Sequence, residues 1–551
     1  MTDDHNTRNE MFPRLTREEI ARLEGLGKRR KARAGEILFE PGEVNPRVFI
    51  VIEGSVEIVD ASGGVERTIA VHESGGFTGE VNMLMGRSSV VRGRVRTASE
   101  LLEIDRASLR QMVARDADLG EIFLRAFLLR RAHLITNSPG DLVLVGSAYS
   151  ADTLRLKTFL SRNGHPHTYL DVEQDSGVRE LLRQFEIGIN DVPVLLSGSR
   201  SVLRNPSNLE VADRLGFNTD VDGQEVLDLI VIGGGPSGLA AAVYAASEGL
   251  QVLVVESAAP GGQAGSSSRI ENYLGFPTGI SGQDLASRAL TQAQKFGAHI
   301  LIARAAAGLA CDLMPLRVEL DNGGEVRARS VIVATGAQYR KLPLANLANF
   351  EGLGVYYGAT HVEGQLCRDQ EIVIVGGGNS AGQAAVFLSG LAAHVHLLVR
   401  GPGLAETMSQ YLIHRIEQCG KITLRTRTEI EELEGDARLE RVRWRDGHAG
   451  RAETREIRHV FLMTGATPNT SWLRHCLLLD EKGFVKTGSN LRPEELSAAK
   501  WPLGRPPHPL ETSLPRVFAV GDVRSGSVKR VASAVGEGSI AIQLVHKVLS
   551  E

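Results

Sequence analysis

Two glycine-rich turns, each following an apolar β-branched run, have the residue types and spacing to hold phosphate. The first lies in DLIVIGGGPSGLAAAVYAASEGLQVLVVE, from residue 228. Gly233 permits the tight turn, Gly235 lets backbone amides reach a pyrophosphate, and Gly238 lets the next helix pack against the strand. Pro236 and Ser237 open that helix, and Glu256 ends the following strand, where a carboxylate can accept hydrogen bonds from ribose hydroxyls. The second turn lies in EIVIVGGGNSAGQAAVFLSGLAAHVHLLVR, from residue 371. Gly376, Gly378 and Ala381 take the three glycine places, and Asn379 and Ser380 open the helix. At the register of Glu256 stands Val399, with Arg400 next. An acid there favours NAD and repels a 2′-phosphate, whereas an arginine attracts one, so NADPH is expected over NADH.

Composition bounds what else the chain can be. A length of 551 residues exceeds one core and predicts three to five domains of roughly 100–200 residues. With 42% hydrophobic and 23% charged residues, disordered and fibrous classes are excluded. A net charge of -4 argues against general nucleic-acid binding. The polar first residues predict no secretory signal, and no run approaches transmembrane length, so no membrane partner is expected. The four cysteines, Cys311, Cys367, Cys419 and Cys476, are far apart. They are expected to form neither a disulfide framework nor a CxxC pair, which fits a reducing, cytoplasmic setting. No metal site is expected.

Periodicity outlines the elements that must position these residues. Residues 12 to 137 start with a polar helix and continue in short apolar runs (EILF, VFIVIEGSVEIV, RTIAV, ELLEI). A helix near 119–134 follows, which predicts a β-roll flanked by helices. The words ILFEPGE, VFIVIEGSVEIV and FTGEVNMLMG resemble the cyclic-nucleotide-binding domain. The resemblance implies that Glu80 takes the ribose position, and aligning TASELLEI with the strand that closes the family's cassette puts Ser89 and Val90 where the phosphate-binding arginine and its small neighbour stand. This degenerate site is expected to bind cyclic AMP weakly or not at all, because a hydroxyl does not replace a charge-assisted bidentate contact. Arg87 or Arg92 substitutes only if the loop is remodelled. The period-2 row Arg92, Arg94, Arg96 and the cluster Lys28, Arg29, Arg30, Lys31, Arg33 read as solvated strand faces.

The chain then passes through NSPGD straight into a strand, without a helix-turn-helix, so no DNA-reading role is expected. Residues 141 to 220 read strand, helix, strand, helix, strand, in an order that resembles glutaredoxin and thioredoxin domains. The resemblance places Ser150 and Thr153 where those families carry a CxxC, which removes dithiol exchange. Pro193 is expected to be cis and Ser150 to cap its helix, leaving docking or internal packing as the module's use.

The two nucleotide units, with ATG at 334–336, TGATPN at 464–469 and VFAVGD at 517–522, resemble the pyridine-nucleotide disulfide reductases. GGQ at 261–263 and IENYLGFP at 270–277 are similar to the thioredoxin reductase type. The fold class implied is multidomain. A β-roll plus helices (1–137) precedes a thioredoxin-like α/β module (138–222). Two Rossmann-like domains follow, one for FAD in two pieces (223–341 and 467–551) and one for NADPH inserted between them (342–466). By the resemblance Gly262, Gln263 and Asn272 lie by the flavin, Asp522 binds the ribityl chain, and Lys529, Arg530 and Val531 approach the isoalloxazine.

That family's redox CxxC falls on Gly358 and His361, so both thiols are gone. His361 is left either as a proton donor beside the flavin or as a simple polar replacement, and Cys367 either as a buried structural thiol or as a mixed-disulfide partner. The segment 490–512, with Trp501 and Arg505, is longer than the family's loop and is expected to cover the cofactor cleft or the neighbouring module. The whole order resembles bacterial fusions of a cyclic-nucleotide-binding-like domain, a degenerate thioredoxin-like domain and a reductase-like module. The function this implies is an FAD-dependent NADPH oxidoreductase, a homodimer, passing electrons from flavin to a quinone, a ferredoxin or flavodoxin, or dioxygen. The alternatives are a slow or non-catalytic NADPH/redox sensor read by the N-terminal domains, and a thioredoxin-disulfide reductase using external thiols.

Overall fold

In strands Val48–Asp60 and Arg92–Ile104 apolar side chains recur on one face, and that face is buried. These strands pair antiparallel as the centre of a five-stranded sheet, flanked by Lys28–Ala32 and Arg67–Glu73, with Ile37–Phe39 on Arg92–Ile104. Helix α1 (Ala117–Asn137) closes the roll, its Phe123 ring stacked on Phe77 with centroids 4.1 Å apart. The computed structural model describes residues 10–551 except 44–45, 61–65, 80–82, 84–88, 90, 138–141, 175–177, 179–181, 183–186, 189–190, 198–200, 219–224, 268, 271, 312–313, 360, 437, 448–449 and 474–475. The side chains at 114, 131–137, 197, 201, 339, 361–362 and 466 are likewise not described.

The second unit is a four-stranded sheet in the order Thr168–Asp171, Leu142–Gly146, Val194–Ser197, Ser201–Arg204. Its first pair is parallel and the others antiparallel. Helix α2 (Ala151–Arg162) follows the central strand, and Ser150 caps it by accepting the Thr153 N–H at 3.3 Å. Thr153 is buried with its hydroxyl unpartnered, and Val192–Pro193 is cis.

The remaining chain forms two lobes. In the first, strands His299–Ile302, Val252–Glu256, Val226–Ile232 and Glu325–Val333 run parallel, Val517–Ala519 pairs on Glu325–Val333, and Ala306–Ala310 with Leu316–Leu320 adds an antiparallel hairpin. Helices α3 (Pro236–Ser247), α4 (Gly282–Phe296) and, at the chain end, the helix Val531–Ser550 cover it. In the second lobe, five parallel strands take the order Val355–Tyr356, Val460–Leu462, Glu371–Val375, His394–Val399, Ile422–Thr426. A three-stranded meander over Thr428–Arg455 packs beside it. The lobes join through a two-stranded antiparallel ribbon of Ala337–Tyr339 and Ala466–Pro468.

Three expectations need correction. Cys311 and Cys476, 165 residues apart in sequence, form a disulfide with Cα atoms 5.5 Å apart. A parallel sheet with a hairpin at its edge brings the end of Ala306–Ala310 against the segment that follows the ribbon, a proximity no spacing rule detects. Next, Arg92 and Arg94 are not a merely solvated row. Arg92 pairs with Glu40 at 2.7 Å and also with Glu66, and Arg94 pairs with Glu57 at 2.7 Å and Glu66 at 2.8 Å. Lastly, the 490–512 excursion folds onto its own lobe. Arg505 bonds the fully buried Glu511 at 2.7 Å and the last residue, Glu551, at 2.8 Å, and Trp501 Nε1 donates to the Arg505 carbonyl at 2.7 Å.

Candidate functional site

The first turn is built as a phosphate cradle. Gly233 has φ +107°, and a Cβ there would overlap the Ala334 carbonyl. Gly238 sits where a Cβ would strike the Gly233 carbonyl, so helix and strand touch backbone to backbone. Gly235 meets only the Gly262 Cα, at 4.0 Å, which leaves its amide side open in front of the α3 N-terminus, with Pro236 at its first turn. Glu256 is buried, and its carboxylate accepts Gly234 N–H at 2.7 Å and Ala258 N–H at 2.8 Å. Burial raises its pKa, opposed by those two donors and by Arg162. Open amides, a helix N-terminus and a carboxylate at the strand end fit the diphosphate and ribose of FAD.

The other predicted flavin neighbours come from separate segments. Gln263 Nε2 donates to the Ala337 carbonyl, so GGQ lies against the start of the ribbon strand Ala337–Tyr339. Asn272 is exposed on a loop closed by the Ile270–Ile280 bridge. Asp522 follows Val517–Ala519 in a short turn, and burial raises its carboxyl pKa against the Lys529 charge. Lys529 Nζ donates to the Asp522 carbonyl at 3.3 Å, Arg530 is exposed as the N-cap of the last helix, and Val531 starts it. Sequence reasoning missed Glu537, one side of the same helix, which accepts Gly521 N–H at 2.7 Å and pairs with Arg524, holding the Asp522 turn. It also missed the reciprocal bonds of Asn469 and Thr335, at 2.8 and 2.9 Å, which staple the ribbon between the lobes. The word TGATPN contains Asn469, but only tertiary structure supplies its partner.

The second turn repeats the first. Gly376 has φ +148° with a Cβ position blocked by the Met463 carbonyl, Ala381 is buried, and Gly378 is open, with the Thr407 carbonyl 3.9 Å from its Cβ position. Asn379 Oδ1 accepts Ser409 N–H at 2.8 Å, and Asn379 and Ser380 are both exposed. Arg400 stands at the strand end with 88% of its side chain exposed and its nearest carboxylate, Glu429, 3.9 Å away. A weakly paired, exposed guanidinium after the second cradle's strand fits the 2′-phosphate of NADPH.

Gly358 faces the first lobe: a Cβ there would lie 3.7 Å from Ser266. His361 begins the short helix His361–Leu366, and its side chain lies outside the described residues. Cys367 is completely buried, its thiol 3.5 Å from the Gly364 carbonyl, and burial pushes its pKa up to about 11. A buried thiol that stays protonated at neutral pH is a poor thiolate nucleophile, which favours the structural reading of Cys367 over the mixed-disulfide one. In the N-terminal roll Glu80 and Val90 lie outside the described residues. Ser89 is buried, and its hydroxyl donates to the Val91 carbonyl at 2.8 Å.

Helix α2 of the second unit reaches both nucleotide lobes. Arg162 Nη2 donates to the Gly262 carbonyl at 2.8 Å, in the flavin-side loop, and Gln283 Nε2 donates to the Arg162 carbonyl at 2.8 Å. At its other end Leu154 packs on the second lobe's core, and Arg438 lies over the Tyr149 ring at 4.4 Å. Between these contacts is a cavity of about 330 Å³ lined by Leu154, Arg155, Arg162, Ala258, Glu351 and Glu363.

Residues 227–538 match the family model "Pyridine nucleotide-disulphide oxidoreductase", and residues 29–116 match "Cyclic nucleotide-binding domain". The thioredoxin reductase of Mycolicibacterium smegmatis is 34% identical over 318 residues, covering 58% of this chain and 95% of that protein. That of Bacillus subtilis is 30% identical over 329 residues, covering 60% and 96%. Among solved structures, Lactococcus lactis thioredoxin reductase in its FR conformation superposes with a TM-score of 0.52 at 27% identity, covering 59% of this chain and 99% of that one. T. acidophilum thioredoxin reductase gives 0.53 at 27% identity, covering 60% and 100%.

Proposed function

Because this chain belongs to the pyridine nucleotide-disulphide oxidoreductase family, we propose that it takes FAD in the first lobe and NADPH in the second and passes electrons from the flavin directly to an acceptor that is not a dithiol. The observation that carries this reading is the thiol-free position facing the flavin lobe, where Gly358 lies opposite Ser266. Bound together, the two cofactors supply hydride transfer from nicotinamide to flavin. The chain's own residues bind and orient: Gly233 and Gly235 present backbone amides to the diphosphate, Glu256 accepts from the ribose, and Arg400 holds the 2′-phosphate. Asp522 faces the ribityl chain, and Lys529 with Arg530 at a helix N-terminus puts positive charge beside the ring.

The second unit is read as a thioredoxin-like module that has exchanged both thiols for Ser150 and Thr153 and now docks internally through α2. Its sheet order and its capped helix support that reading. The contact of α2 with both lobes also favours a second reading, in which the N-terminal units sense the state of the nucleotide lobes.

An anaerobic NADPH titration followed by turnover with a quinone, a flavodoxin, a ferredoxin, dioxygen and a thioredoxin tests this. The expected result is full flavin bleaching and turnover with at least one non-thiol acceptor, with none for thioredoxin. Bleaching with no competent acceptor supports the sensor and defeats the oxidoreductase. Enzymatic turnover of thioredoxin supports a disulfide reductase using external thiols and defeats both.

A further inference from the structure

The loop beside the first cradle is held by a residue from another unit. Gly262 lies against Gly235, so closely that a Cβ on Gly262 would stand 3.0 Å from the Gly235 Cα. Helix α4 sets the loop before and after Gly262: a Cβ on Gly261 would lie 2.5 Å from the Ala286 Cβ, and one on Gly282 would strike the Ala264 carbonyl. The Gly262 carbonyl itself accepts Arg162 Nη2 at 2.8 Å, and among the described residues no other donor reaches it. Arg162 ends α2, outside the residues 227–538 that match the oxidoreductase family. Its own carbonyl accepts Gln283 Nε2 at 2.8 Å, and the next residue, Asn163, donates to the Ala258 carbonyl at 3.4 Å. The end of α2 thus grips the stretch between Glu256 and Gln263 at two points.

Charge accompanies the hydrogen bond. Arg162 is half-buried, and its Nε is enclosed with no hydrogen-bond partner among the described residues. Burial lowers its pKa, and the carboxylates of Glu256 in the first lobe and Glu363 in the second raise it again. A guanidinium keeps its proton at neutral pH, so a partly desolvated cation stands beside the cradle. A diphosphate on the Gly235 amides is anionic, and a cation acts on it more strongly where water is partly excluded. Without Arg162 the Gly262 carbonyl would lose its donor, and the loop against Gly235 would lose a tether that α4 does not supply.

Resting on the reading that the first lobe takes FAD, we propose that Arg162 is a positioning residue of that site, supplied by the second unit: it fixes the Gly262 carbonyl, and with it the loop against Gly235, and its charge favours the diphosphate. The second unit is thereby a part of the FAD site as well as a docked module. The contact is a single N–H and not a two-pronged fork, so a lysine can take it over where an uncharged side chain cannot.

Fluorescence titration of the full-length apoprotein with FAD, alongside its thermal melt, tests this. Arg162→Met is expected to raise the Kd for FAD about tenfold or more, the size of one charge-assisted contact, while the apoprotein melt moves little. Arg162→Lys keeps the charge and a donor, and should return the Kd to within about threefold of the unmodified chain. A packing role alone would lower the melt in both variants and give no rescue by lysine. Should Arg162→Met not fold, Arg162→Gln removes the charge but keeps a polar donor, and the same comparison with lysine applies. An unchanged Kd in the uncharged variant overturns the proposal, and so does a lysine variant as weak as the uncharged one. An unmodified chain that takes no FAD defeats the underlying reading, whereas FAD bound equally by every variant defeats only the role of Arg162.

Discussion

On the proposed function, Arg400 selects the nucleotide through a charge that is only weakly paired. With 88% of the side chain exposed and Glu429 no closer than 3.9 Å, it carries its charge to the end of the strand without a strong partner to surrender. A phosphate contact made there contributes on the order of 1–3 kcal/mol, because solvent screens it and the side chain must be ordered. Arg400→Ala is therefore expected to raise the KM for NADPH roughly tenfold or more and to leave that for NADH nearly unchanged. Stopped-flow flavin reduction with each nucleotide measures this, and an equal loss for both removes Arg400 from the 2′-phosphate. Glu256 works the opposite way. It is held by two backbone amides inside the lobe, so its position is set before any ribose arrives.

At the scale of elements, the hairpin edge of the first lobe and the segment after the inter-lobe ribbon are tied covalently. Cys311 follows the strand Ala306–Ala310, and Cys476 lies in the segment after the ribbon, its Sγ 2.9 Å from the Leu309 carbonyl oxygen. A cross-link spanning 165 residues removes much chain entropy from the unfolded state, typically about 2–4 kcal/mol. Thiol titration in denaturant should count two reactive cysteines in the protein as purified without reductant and four after reduction. The Cys311→Ser variant should melt several degrees lower, and four thiols from the start would show that the pair stays open. The same argument separates the free thiols: Cys367 is sealed in the second lobe's core, while Cys419 is half-buried.

For the whole molecule, the first lobe presents apolar surface that its own chain does not cover. Leu274 is 92% exposed, Tyr244 is exposed too, and a cleft of about 540 Å³ between α3 and α4 is lined by Val243, Tyr244, Tyr273, Phe276 and Leu285. Apolar patches of this kind mark association surfaces, and a second copy is the occupant expected for a homodimer. Light scattering should give twice the 59.5 kDa chain mass. Leu274→Asp with Tyr244→Glu should give the single-chain mass with flavin retained, and a monomeric unmodified protein would sink the expectation. Among the described residues no helix is long and apolar enough to cross a membrane.

Local chemistry was written in the sequence. Gly233, Gly235, Gly238 and Glu256, and their counterparts from Gly376 to Arg400, were readable because a phosphate cradle needs a fixed strand, turn and helix within one short stretch. The same holds for the Ser150 cap, since a hydroxyl just before a helical pattern declares itself by type. What lay between segments was not readable. The Cys311–Cys476 pair, the Glu537 support of the Asp522 turn, the Arg505–Glu551 clasp and the reach of Arg162 to Gly262 join residues brought together only by sheet order and helix packing. Arg130 is the sharpest case. In sequence it is one of several arginines on a helix, and only the closing of α1 over the roll buries it against the Phe77 and Phe12 rings.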